Sequence, residues 1–385
     1  MRFSPLDKLL NFPEMTVKKW GQTSEGFFLH LARVNSGINC PHCQQKTQEL
    51  HQLRYLLVRD LPAFDQPGYL KVPRRQFSCR HCQKYITEEL DYIDTKRKET
   101  RRYQENIYQK VLKSSIEQVS QEENLTYEEV ESLFILLSQS AHYKEWATRK
   151  RLSIDEISKK KGHKNFITLV SDVDTGNLLE VIDSHKQQEI IETLIQQSIE
   201  ARMQVEEVSV DMWAGFPKVV EEVFPNAVVV IDRFHVMKLI NTRLNKIRRF
   251  AGINLKGSRY LLLKNAEELS PEEKEKIDQV LSQSACLTIA YELKEELREI
   301  YETSSTIKSG LRRIKKWLAQ AQIFYGKVTE TIRTHLQEIC NYFISHTTSG
   351  VMEGINNKAK LIIRQGYGFS NFEHLRLRLL ASFSD

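Results

Sequence analysis

Two sets of side chains in this sequence are spaced for chemistry. Cys40-Pro-His-Cys43 and Cys79-Arg-His-Cys82 each put two thiols on a tight turn, where both sulfurs can reach one tetrahedral ion. Asp155 stands in the middle of an alternating run, LSIDEIS, and Asp211 ends another, VEEVSVD. A carboxylate in such a strand is out of place unless it faces a partner, and a divalent cation is one. Taken singly, Asp155 is also consistent with an ordinary edge-strand aspartate and Asp211 with a helix N-cap. Glu353, in SGVMEGINNKAKLIIRQGYGF, is the strongest candidate for a third acidic ligand, against the plain alternative of a surface glutamate.

Read together, Cys40, Cys43, Cys79 and Cys82 form a zinc ribbon signature, because two pairs of identical spacing rarely arise from core packing. Four protein ligands leave no open position, so Zn2+ here folds a module and catalyses nothing. The intervening RYLLVRDLPAF and GYLKVPRRQF predict a hairpin that brings the second knuckle beside the first, with His42 and His81 facing outward. The basic strand Lys71 to Arg75 is then a candidate phosphate contact. Cys286 and Cys340 lie in helical patterns and read as reduced core thiols.

These residues need elements to hold them. Residues 1–92 are short extended runs broken by Gly37, Pro41, Pro62 and Pro73, a β-rich module. The charge run DTKRKETRR reads as a linker or helix start and suggests a boundary, with helices over 93–148. There Thr126 and Glu129 predict a capping box at the head of a new helix. The spacing suits a helix-turn-helix, although Glu128, Glu129 and Glu131 would face an acidic polymer, and a plain helical hairpin fits as well.

From 149 to 385 the pattern is three strands with a hairpin, then helix, strand, helix, strand, followed by helix to the end. That is the RNase H-like order, which sets the first and fourth strands side by side and makes Asp155 and Asp211 neighbours. Neighbouring carboxylates repel, and hard oxygen ligands favour Mg2+ or Mn2+ between them. The fold class expected is therefore multidomain α+β: zinc ribbon, helix-turn-helix, and an RNase H-like catalytic domain.

Composition is less specific. Lys and Arg outnumber Asp and Glu by 56 to 50 in 385 residues, and this mild basic excess favours a polyanionic partner only weakly. No apolar stretch is long enough to cross a membrane and no secretory signal opens the chain, so a cytoplasmic protein is expected.

The run SVDMWAGFPKVVEEVFPNAVVVIDRFHVMKLINTRLNKIRR and the tail SGVMEGINNKAKLIIRQGYGF closely resemble ISL3-type insertion-sequence transposases. The resemblance spans essentially the whole chain. It implies a zinc-binding region and helix-turn-helix before an RNase H-like domain whose acidic triad matches Asp155, Asp211 and Glu353. It further implies metal-dependent cleavage and strand transfer on double-stranded DNA, with terminal inverted repeats and target as substrates and a homo-oligomer as the assembly. Related transposases carry a helical insertion, here about 239–342, after an Asp-x-x-His element that Asp232-Arg-Phe-His235 fits.

His235 is then a candidate for orienting DNA or a water, against a plain packing role. Trp317, beside Arg312, Arg313, Lys315 and Lys316, either stacks on an unpaired end base or is simply buried. Arg248, Arg249, Arg376 and Arg378 are further candidates to screen phosphates. Two rival readings remain at this level: an RNase H-like nuclease, and a zinc-ribbon regulator whose catalytic domain has gone silent.

Overall fold

A computed structural model of the chain describes residues 5–141, 146, 148–159, 165–347, 350–366, 369 and 371–383, with the side chains of 140 and 141 left out. The chain forms two compact units, Met1–Ser140 and Ala141–Asp385.

The first unit is built on a hairpin of strands β5 (Leu50–Ala63) and β6 (Gln66–Ser78). Phe64 and Asp65 at its tip both have positive φ, 52° and 59°, the twist that a two-residue hairpin loop demands. Strands β1 (Met15–Thr23) and β2 (Gly26–Arg33) extend the sheet on the β6 side, while β8 (Ile93–Asp94) and β9 (Glu99–Thr100) extend it on the β5 side. Strand β7 (Tyr85–Thr87) pairs with the end of β6, and β3 (Ile38–Asn39) with β4 (Lys46–Thr47) forms a separate ribbon. One face of the large sheet buries Leu31, Val58, Leu70 and Val72.

The charge run at 94–102 does not act as a free linker. Glu99 and Thr100 pair in the sheet, and Thr100 caps the helix Arg101–Lys113 by accepting from the Tyr103 amide. Arg102 clamps the buried carboxylate of Asp60, and Arg59 on β5 reaches Glu123 at the end of the helix Ile116–Glu123. These ties fuse strands and helices, so a division at 92/93 falls inside one compact unit. Asn124 (φ 53°) turns the chain into the helix Tyr127–Ala141, whose start carries the expected reciprocal Thr126–Glu129 bonds.

Arg75 corrects an expectation. It is buried and donates to Glu88 and to the Asn35 carbonyl, so it is a structural cation closed off from phosphate, whereas Lys71 is exposed.

The second unit carries the sheet β12-β11-β10-β13-β14. Its strands are β10 (Arg151–Ser158), β11 (Phe166–Asp172), β12 (Leu178–Ile182), β13 (Glu207–Val210) and β14 (Val228–Ile231). The first three run antiparallel, while β13 pairs parallel to both β10 and β14. Ile154, Val208 and Val210 pack into one core with the helices Phe216–Val223 and Arg233–Phe250, and Ile157, Ile167 and Leu169 pack into a second. That second core includes Met352, Ile355, Ala359, Ile362 and Ile363 of the helix Gly350–Gln365.

Between these parts the chain is almost entirely helical, with long helices at Ala285–Thr303 and Ile307–Tyr325. The return to the sheet is stitched twice: Asn341 donates to the Val229 carbonyl at 2.8 Å, and Ser345 and Thr347 both bond the buried Glu207 carboxylate at the start of β13.

Candidate active site and metal centres

The parallel pairing of β10 with β13 runs from Arg151↔Glu207 to Ile154↔Val210. Asp155, within β10, and Asp211, the first residue past β13, come next, and both are half-buried. Asp211 Oδ1 accepts from the Trp213 amide at 2.7 Å, which fixes the carboxylate at the carboxyl edge of the sheet. Gly215 leaves room for the turn: a Cβ there would lie 2.4 Å from the Trp213 ring.

Burial pushes the Asp211 carboxyl above its ordinary value, with the Asp155 charge adding to the rise and the Trp213 amide, His235 and Lys238 opposing it. His235 thus stands within electrostatic reach of Asp211, in the first turn of a helix capped by Asp232, whose side chain accepts from the Phe234 amide.

Asp155 is held from two directions. Oδ1 accepts from the Glu156 amide at 2.8 Å and Oδ2 from Asn356 Nδ2 at 2.6 Å. Asn356 belongs to the helix Gly350–Gln365, so this bond brings that helix to β10. Glu353 lies one turn earlier on the same helix and is exposed. Asp155, Asp211 and Glu353 are not gathered within 4.8 Å of one another; among the described residues only the cysteine quartet meets that measure.

The oxygen-rich surroundings suit a divalent cation. Glu156 Oε1 and Asn356 Oδ1 are both buried with no hydrogen-bond partner, and such acceptors beside carboxylates are what a hard cation or its water shell satisfies. Burial, then the charges of Asp211 and Asp155, push the Glu156 carboxyl up to about 7. Glu156 and the structural role of Asn356 were missed in the sequence. The signal for Glu156 was its place beside Asp155, and that for Asn356 its spacing of three from Glu353.

In the first unit the sulfurs of Cys40, Cys43, Cys79 and Cys82 all lie within 4.8 Å of one another. Burial alone would raise the Cys40 thiol, but the Cys43 and His42 amides and the sulfur of Cys82 outweigh it and bring it down to about 7. Two sulfur-bearing residues are buried, two half-buried, and His42 and His81 point to solvent. This donor set fits a closed tetrahedral Zn2+ site.

Several proposed DNA contacts turn out otherwise. Trp317 is fully buried and its indole donates to the Leu293 carbonyl at 2.7 Å, so it packs the helical core and offers no face to a base. Arg378 is 2% exposed, and Arg376 makes a two-pronged pair with Glu180. Arg248 donates to Asn245 and the Ile253 carbonyl, and Arg313 to Thr303 and Ser304. Arg249, Arg312, Lys315 and Lys316 are exposed. Cys340 is buried as expected, but Cys286 lies at the surface.

A sheet that sets two carboxylates on adjacent parallel strands, in a chain that also carries a four-thiol site, defines a protein equipped to hold metal ions. Residues 152–379 match the family model of the ISL3 DDE transposases, described as a transposase, and residues 36–82 match the zinc finger of the transposases of IS204, IS1001, IS1096 and IS1165. The chain belongs to the ISL3 family and is a DDE transposase. It is 25% identical over 382 residues, 94% of this chain and 92% of the relative, to the transposase of insertion sequence element IS1001 from Bordetella parapertussis. It is 27% identical over 259 residues, 58% of each chain, to the transposase of element IS1557 from Mycobacterium tuberculosis.

Proposed function

We propose that Asp155, Asp211 and Glu353 hold the divalent ions of an RNase H-like active site, Mg2+ or Mn2+, that cleaves insertion-sequence ends and joins them to target DNA. The observation that carries this reading is the parallel register of β10 and β13, which delivers two carboxylates together at one sheet edge, with the Glu353 helix bonded to the same strand. When bound, such ions polarise the scissile phosphodiester and activate the attacking oxygen. Asp155 and Asp211 would supply hard oxygen ligands, and Glu353, exposed on the helix that bonds Asp155, would complete the set. His235 helps balance the charge of Asp211 and orients the substrate strand.

In the first unit, Zn2+ at the four cysteines would hold the knuckles together, and the helices Ile116–Glu123 and Tyr127–Ala141 would act as a helix-turn-helix on the terminal inverted repeats. Exposed Arg249, Arg312, Lys315 and Lys316 would contact backbone phosphates, and the active assembly is a homo-oligomer on DNA.

The test incubates wild-type protein and Asp211→Ala with Mg2+ or Mn2+ and labelled DNA carrying the inverted repeats that flank its own element. Metal-dependent end cleavage and strand joining, lost in the variant, supports the reading. Binding without cleavage by the wild type overturns it.

A further inference from the structure

Among the described residues, a single side chain from elsewhere in the chain orients the Asp155 carboxylate. Its Oδ1 is occupied by the next amide on the strand, and its Oδ2 by Asn356 Nδ2 at 2.6 Å. Asn356 sits at the margin of its helix's buried face: Met352, Ile355 and Ala359 pack into the core, and Met352 Sδ also accepts from the buried Ser171 hydroxyl of β11. The helix is therefore fixed against the sheet by apolar packing, and Asn356 is the polar group this packing presents to β10. Its other amide atom, Oδ1, is buried with no donor. An asparagine that served packing alone would not leave a buried acceptor orphaned.

From this geometry we infer that Asn356 is a positioning residue of the active site: its amide N–H sets the carboxylate of Asp155 for the cation, and its orphaned Oδ1 is the neutral oxygen held ready for that cation's shell. The inference rests on the active-site reading above. Glu353 lies three residues from Asn356 on the same helix, so the packing that presents Asn356 to β10 also places Glu353 one turn away. Residues that orient metal ligands commonly govern affinity as strongly as the ligands' own surroundings do.

The experiment titrates Mn2+ into full-length, zinc-loaded protein without DNA and follows the free Mn2+ signal by electron paramagnetic resonance. Asn356→Ala is expected to bind Mn2+ about 10- to 100-fold more weakly, and Asn356→Gln, which keeps the amide on a longer arm, to recover part of the loss. Alanine is the better helix former, so melting temperature and zinc content should hold, which separates positioning from folding. The half-saturating Mn2+ for DNA cleavage should rise in step. Asp155→Ala serves as reference. If Asn356→Ala binds Mn2+ like the wild type while Asp155→Ala does not, the role of Asn356 is overturned and the active site stands. If Asp155→Ala also binds like the wild type, both are overturned.

Discussion

Ile154 and Val210 close the parallel ladder between β10 and β13, so Asp155, still paired with Leu169 of β11, and Asp211, just past the end of β13, follow at the same level. Burial and the Asp155 charge both raise the Asp211 carboxyl. Asp211→Asn keeps the oxygen that accepts the Trp213 amide and removes the charge. It should raise the melting point of the Mg2+-free protein, because it removes a charge that burial and Asp155 disfavour, while abolishing cleavage. A thermal melt in Mg2+-free buffer checks this; an unchanged or lowered midpoint would count against electrostatic strain at the pair.

Glu156 gives a pH dependence of definite sign. Its carboxyl is raised from 4.5 to about 7 in the folded chain, so ionising it disfavours the fold. The penalty is absent below about pH 4.5, grows as pH rises, and is complete above about 7. Glu156→Gln should therefore melt higher than wild type at pH 8, with the gain fading by pH 5. Equal midpoints at pH 8 would refute the assignment.

Glu88 behaves in the opposite sense. Burial would raise its carboxyl, but Arg75 and Arg33 hold it below the usual range. Its contribution is present above about pH 4.5 and lost as pH falls through the lower folded value. Glu88→Ala strands two guanidinium groups and should cost about 3–5 kcal/mol, read from urea denaturation at pH 7. A cost under about 1 kcal/mol would mean that the network is solvated.

Trp317 separates packing from DNA contact. Trp317→Phe removes the bond to the Leu293 carbonyl and should destabilise the chain by about 1–3 kcal/mol. Affinity for inverted-repeat DNA, measured well below the melting point, should not change. A drop in affinity with unaltered stability would restore the stacking role.

Cys79→Ser tests the thiol quartet. The purified variant should lose the zinc equivalent held by the four sulfurs and show a lower first melting transition, since such sites supply folding energy directly. Zinc content equal to that of the wild type would rule the site out.

Much of this was legible in the sequence. Repeated cysteine spacing marked the knuckles, and alternation around Asp155 and Asp211 marked strands whose pairing follows from their order. What the sequence hid was set by tertiary packing. Trp317 and Arg378 sit among charged neighbours in the chain, yet their helices turn them inward. The run at 94–102 looks solvated because its sequence is charged, but Asp60, far away on β5, takes up Arg102. Asn356 was visible only as a neighbour of Glu353, because its bond to Asp155 joins residues 201 positions apart.

The double stitch that brings the chain back to β13 and β14 has a consequence for evolution. Asn341, Ser345 and Thr347 index the returning chain to the sheet through Val229 and Glu207, while Tyr342 and Phe343 between them pack on Tyr301 of the helix Ala285–Thr303. The base of the long excursion is thereby coupled to the sheet: a change that moves Tyr301 presses on the segment these bonds pin. Selection can remodel the exposed far surface of the excursion more freely than the faces that pack on Tyr342 and Phe343.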